Sequence, residues 1–178
     1  MGIINNKDGT NNSNDNFNDY NGQISIEMRG SSSQQIFPKK SYSLETQTST
    51  GENNNISILG LPDENDWVLY APYSDKTLLR NSLSYEISRK MGYYAPRTRY
   101  CEVFINSEYM GIYLLTEKIK QDTNRVNIPE FNKTIDSGGY IIKIDELTEA
   151  EPNSENEMVS SISQKIIVPS ELTQKLNF

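Results

Sequence analysis

The chain has 178 residues, enough for one domain of ordinary size, yet only 35% of them are hydrophobic, which leaves part of it outside any core. Its formal charge of −7 excludes a broad basic face for nucleic acid or an anionic membrane as the main partner surface. It has no histidine and a single cysteine, so a histidine-based triad, a histidine metal site and an internal disulfide are all excluded.

From the N-terminus, residues 1–21 are dominated by Asn, Asp, Ser and Gly without periodicity, which predicts a disordered, Asn-rich arm. Order is expected from Gln23. In QISIEMR, Ile24, Ile26 and Met28 alternate with polar residues, the period of a half-buried strand. EMRGSSSQQIFPKKSYSLET follows, and its Gly/Ser run predicts a polar turn into a second strand. There Lys40, Tyr42 and Leu44 share the apolar face, so Lys40 is expected to point inward. Trp67, Leu69 and Ala71 predict a third short strand.

A helix comes next, with Ser74 as cap, Asp75 in the first turn, Arg89 and Lys90 in the last, and Gly92 just past the end. Leu79, Leu83 and Ile87 form its apolar stripe, with Met91 continuing it and Glu86 at the edge. RYCEVFIN and YMGIYLLTEKI then read as a hairpin turning at Ser107-Glu108, and SGGYIIKID, 137–145, as another strand. Cys101 lies in that hairpin's apolar pattern and reads as a buried small hydrophobe rather than a nucleophile. KIIVP reads as a strand, and Ser170 as the cap of a last helix that stops after two turns. No run of about 18 apolar residues exists, so no spanning helix is expected.

The order is strand, Gly/Ser turn, lysine-bearing strand, glutamate-bearing helix, then two strands and a polar crossover. This is the order of a protein-kinase small lobe. The chemistry fits that plan. Backbone N–H groups of such a turn approach phosphate oxygens closely, serine hydroxyls add donors, and a lysine supplies charge. A carboxylate on the helix steadies the lysine, which makes Lys40 and Glu86 the candidate pair. The alternative at this point is a polar hairpin, a Lys40 that snorkels to the sheet edge, and a solvated Glu86.

RGSSSQ, FPKKSYSLET, LGLP, ENDWVLYAPYSDKTLLRN, YAPRTR, EKIK, NRV and SGGYIIKID closely resemble the spore coat protein H (CotH) family of atypical kinases, over about residues 22–146. The resemblance implies an α+β, protein-kinase-like small lobe at 22–146, followed at 147–178 by an acidic loop and the start of a further element. It implies ATP and magnesium or another divalent metal as cofactors, and phosphate transfer to serine of a coat or surface protein. Spore coat, cell surface or secretion is the implied location.

Carried onto this chain, the resemblance makes Arg29, Gly30, Ser31, Ser32 and Ser33 the phosphate turn and Lys40, in preference to Lys39, the phosphate lysine. Glu86 falls on an acidic position of the helix, and Glu117 closes the hairpin where a hinge touches adenine through the backbone of 116–119. Arg97 and Arg99 are expected to be structural anchors, Asp122 and Arg125 to pair, and Lys143 and Asp145 to edge the site.

The family's metal-binding aspartate motif has no match here, since the only tryptophan, Trp67, belongs to an earlier block. No metal ligand is therefore assigned, and the catalytic carboxylates are expected beyond Phe178. The chain is expected to be the N-terminal part of a larger fold, and such an open lobe to expose an apolar face. The competing reading is a non-catalytic spore-coat or surface interaction module. Positioning and charge neutralisation supply most of phosphoryl-transfer catalysis, so these 178 residues alone are expected to be inactive. Incubation with radiolabelled ATP and a serine-rich protein checks this, and label on the protein contradicts it.

Overall fold

The computed structural model describes residues 1–6, 10–132, 134 and 137–142. The chain divides into two compact units, Met1–Lys118 and Ile119–Phe178.

In the first unit, β1 (Gly2–Ile3) and β2 (Tyr20–Asn21) pair antiparallel. Short polar side chains bond the loop between them. Asn5 N–H donates to Asn18 Oδ1 at 2.7 Å, Asn6 N–H to Asn11 Oδ1 at 2.7 Å, and Asn6 Nδ2 to Asp15 Oδ2 at 2.7 Å. Composition predicts an arm without structure here. The described part is instead held by side chains that substitute for a regular ladder.

The main sheet is built from β3 (Gln23–Arg29), β4 (Ser41–Gln47), β5 (Asp66–Tyr70), β6 (Thr98–Ile105) and β7 (Glu108–Glu117). All neighbours are antiparallel and the order is β3-β4-β5-β7-β6. Two helices interrupt it, α1 (Ser32–Ile36) and α2 (Arg80–Lys90). The architecture is thus α+β, antiparallel and poor in helix, as expected, and is compatible with a small-lobe plan.

Register explains the core. Leu44 lies opposite Trp67, Leu69 opposite Leu115, and Cys101 opposite Tyr113. The two-residue period therefore brings these side chains to one face. Ile58 and Leu61 join them from the β4–β5 loop, which turns at Leu59 and Gly60, both at positive φ. Trp67 is fully buried and its indole N–H donates to the Glu64 carbonyl at 3.2 Å. Cys101 is half-buried at the margin of this core, and burial pushes its thiol up to about 11. The thiol therefore stays protonated at neutral pH and is a poor nucleophile.

The hairpin β6–β7 turns at Asn106 and Ser107, both with φ near the left-handed region (51° and 67°), the geometry of a two-residue primed turn. This is one residue earlier than the sequence predicts. Helix α2 also starts later than expected, at Arg80 rather than just after Ser74, because Leu78 takes φ 62° and breaks the turn. Asp75 still organises the start. Its carboxylate accepts from the Thr77 hydroxyl at 2.7 Å and from Arg80 N–H at 2.9 Å, and these bonds hold its carboxyl below the usual aspartate range. Gly92 ends the helix at φ 86°, with its N–H on the Arg89 carbonyl.

In the second unit, Gln121 and Val126 form a parallel bridge and Asn132 and Ser137 an antiparallel one. The strand expected over 137–145 is not found in its described part, 137–142, where only Ser137 forms a single bridge. Gly138 and Gly139 lie against Phe131 and Ile128, so close that a Cβ would meet atoms at 2.5 and 2.6 Å. The glycines serve that approach rather than a ladder. Lys143, Asp145 and the readings at 147–178 lie outside the described residues.

Tyr113 is fully buried, and its hydroxyl has no hydrogen-bond partner among the described residues. Burial pushes that hydroxyl up to about 12. A buried orphan of this kind costs about 1–3 kcal/mol. Tyr113→Phe is therefore expected to raise stability, by about 1 kcal/mol in urea unfolding. A loss of stability would mean that the hydroxyl is satisfied in solution.

Candidate functional site

The expected phosphate turn is a bend followed by a single helical turn. Gly30 leaves β3 at φ 101°, Ser31 precedes α1, and Pro38 separates α1 from the two lysines. The Ser31 side chain makes no cap bond, and Gly30, Ser31 and Ser32 are exposed. Only glycine fits at position 30. Its φ is left-handed, and a Cβ would lie 2.1 Å from Ser33 Oγ. Arg29 ends β3 opposite Ser41 and is exposed.

The structure brings Lys40 to this bend. Its ammonium donates to the Gln34 carbonyl and, at 2.7 Å, to the Phe37 carbonyl, the oxygens left over at the end of α1. An ammonium has three N–H donors, so two bonds leave one donor for another acceptor. Lys40 is half-buried and belongs to the bend rather than to the apolar face of β4.

Lys39 takes the inward place. It donates to the Ile112 carbonyl at 2.6 Å and sits 4.3 Å above the centre of the Tyr113 ring. Burial draws its ammonium below the usual lysine range. Gly111 makes room, at φ 86°, where a Cβ would stand 3.3 Å from the ammonium. The adjacent pair thus splits, one lysine holding the bend and the other the sheet.

Glu86 is not joined to Lys40. Its carboxylate pairs with Arg89 and, at 3.6 Å, with Lys90, all on the same helix. The Arg89 hydrogen bond holds its carboxyl below the usual glutamate range. Arg89 in turn donates to the Ala95 and Pro96 carbonyls beyond the helix. The geometry makes Glu86 an organiser of the helix end.

Glu117 closes β7 and is buried. Arg97 grips it with Nη2 at 2.7 Å and Nε at 2.9 Å from Oε1, while Arg97 N–H donates to Oε2 at 2.8 Å. The main chain adds a bond from Glu117 N–H to the Arg97 carbonyl at 3.2 Å. Arg99 donates from Nε to the Leu59 carbonyl at 3.0 Å. Both arginines act as anchors within the first unit. Asp122 and Arg125 are linked main chain to main chain, and the Asp122 carboxylate accepts from Asn124 N–H. Among the described residues no group of three or more Asp, Glu, Cys or His is placed to hold a metal.

The geometry puts Gly30, Ser31, Ser32 and Ser33 at one bend, ties Lys40 to the carbonyls that end the helical turn after it, and leaves Glu86 and Glu117 with partners of their own. A family model described as CotH kinase protein matches residues 26–175. The chain belongs to the CotH kinase family. At the family level its function is kinase-like. Within this CotH family member, the match takes in both the bend and the Arg97–Glu117 pair. No curated protein matches the chain.

Sequence reasoning ranked Lys39 behind Lys40 and assigned it no sheet contact. The only signal was the Lys-Lys doublet beside a proline, which does not say which lysine turns inward.

The Arg97–Glu117 pair generates a stability test. Removing one partner of a buried pair leaves an uncompensated charge, at a cost of about 3–5 kcal/mol. Arg97→Ala is expected to destabilise the fold on that scale in urea melts, and Glu117→Gln by less, because the amide oxygen still accepts from Arg97 N–H. Equal, small effects from both would show the pair to be dispensable.

Proposed function

We propose that the chain holds the phosphates of ATP at the Gly30–Ser33 bend, as part of a CotH-type atypical protein kinase that phosphorylates serine in a protein substrate. The observation that carries this reading is Lys40, whose ammonium is tethered to the carbonyls of the same bend whose opposite end presents exposed N–H groups and serine hydroxyls.

The residues present fit a phosphate group. The missing Cβ at Gly30 keeps the bend open, and the start of α1 offers unbonded backbone donors. The third N–H of Lys40 offers charge at the other end of the same helical turn, and Ser31 and Ser32 add rotatable hydroxyls. When bound, ATP supplies the phosphoryl group for transfer. The bend and Lys40 orient its tail and offset its charge. The described residues do not fit a divalent metal, and no step is derived through one. Thr116 and Glu117 pair with neighbouring strands on β7, so an adenine edge falls to main-chain groups after them.

A second reading, a non-catalytic coat or surface module, is favoured by one observation. Glu86 is occupied by Arg89 and Lys90, so nothing on α2 steadies Lys40 as an active kinase requires.

Calorimetric titration with ATP separates the two. The kinase reading expects binding that weakens at least tenfold in Lys40→Ala and is unchanged in Lys90→Ala, a lysine of the exposed helix end. Absence of ATP binding by the wild-type chain, or equal binding by Lys40→Ala, favours the module.

A further inference from the structure

Helix α2 is amphipathic the wrong way round for a helix on its own sheet. Asn81, Tyr85 and Ser88 are half-buried, while Leu79, Leu83, Ile87 and Met91 are 54%, 56%, 49% and 66% exposed. Its tethers are polar. Tyr100 Oη bonds Ser82 Oγ at 2.6 Å and the Leu78 carbonyl at 2.7 Å, Asp75 holds the first turn, and Arg89 holds the segment beyond the last. The apolar stripe is therefore not spent on seating the helix. Tyr93, 66% exposed, follows the stripe beyond Gly92. Together these side chains expose an apolar area of about 400 Å², within the range of the largest patch on a typical folded chain, which is often functional.

A shallow groove of about 350 Å³ runs between the helix and β6, lined by Leu79, Ser82, Leu83 and the paired Glu86 and Arg89 on one side and by Thr98 and Arg99 on the other. The stripe is thus a ridge with a shallow, open depression beside it.

Charge says what kind of partner fits. Between residues 75 and 100 the sequence carries Lys76, Arg80, Arg89, Lys90, Arg97 and Arg99 against two carboxylates, Asp75 and Glu86, in a chain of net charge −7. Arg97 is spent on Glu117, and Arg89 on Glu86 and carbonyls. Arg80 and Lys90 reach outward at opposite ends of the helix, with side chains 77% and 75% exposed and acidic contacts no closer than 3.6 Å. The apolar ridge is thus flanked by cations, whereas the rest of the chain is strongly acidic. An acidic partner is attracted to this face and repelled from the others.

We propose that the outer face of α2 and the groove beside β6 dock a separate protein through an acidic segment with an apolar face. Leu79, Leu83 and Ile87 supply the apolar contact, and Arg80 and Lys90 supply register and steering. This face does not include the Gly30–Ser33 bend, so the inference stands whether or not ATP binds there.

The test is fluorescence anisotropy of the full chain with a labelled helical peptide of about 18 residues, long enough for helix. The peptide is built from Leu, Ala and Glu with leucines on one face. Its twin carries Lys in place of Glu. The acidic peptide is expected to bind at least tenfold more tightly than the basic one. Its affinity is expected to fall at least tenfold in Leu83→Gln/Ile87→Gln, and to fall again when Arg80→Glu/Lys90→Glu reverses the flanks. These residues are exposed, so the fold survives, as far-UV circular dichroism verifies. Equal affinity for the two peptides, no binding, or binding indifferent to the substitutions overturns the proposal. So does a wild-type dimer in sedimentation that the Gln variant makes monomeric, which assigns the face to a second copy. Sedimentation of the chain with phosphatidylglycerol vesicles through the same residues overturns it in favour of a membrane.

Discussion

The Arg97–Glu117 pair is the constraint on which the sheet depends. β7 is central in the second half of the sheet, and its last residue is a buried carboxylate opposite Trp67. A charge in that place needs an obligate partner, because desolvation in the interior costs more than most packing gains. Arg97 supplies three bonds and sits just before β6, so satisfying the charge also sets where β6 begins. The pair thus couples the ends of two strands that are also joined by a tight turn at their other end. Both ends of the β6–β7 hairpin are fixed, one by electrostatics and one by backbone conformation.

The two adjacent lysines show how one short segment serves two layers. Lys39 is paired with a carbonyl and an aromatic face on the sheet, and Lys40 with carbonyls of the bend. Neither has a carboxylate partner among these contacts. Each uses its charge on backbone dipoles, which places a cation at the bend without cancelling it. That is a useful arrangement for meeting an anion, and it is reached without the helix glutamate that a kinase small lobe employs.

The strands were legible because their apolar residues alternate over enough positions. QISIEMR gave β3 with its bounds, and the Trp67-Leu69 alternation gave β5. The helix stripe was legible as a stripe, but a 3.6-residue period says which side of a helix is apolar and not what that side meets. Leu83 and Ile87 belong to that stripe and stand largely in solvent. The half-buried positions of the helix, among them Asn81, Tyr85 and Ser88, carry no apolar period that would mark them in advance. The bend was found from its Gly and Ser residues, but α1 is too short for any period. The two lysines precede the first residue of β4, so strand alternation did not govern them. Lys40, expected on the apolar face of the second strand, turns instead to the carbonyls at the end of α1 for that reason.

Seating a helix by hydrogen bonds has a thermal consequence. Lifting α2 away from the sheet uncovers mainly polar side chains, since the leucines are already wet. The heat-capacity increment of such an opening is small, because that increment follows newly hydrated apolar surface. The balance between seated and lifted helix then shifts almost linearly with temperature, without the curvature that makes apolar seams loosen on cooling. The hold on α2 is in this sense set by a handful of directional bonds rather than by apolar area.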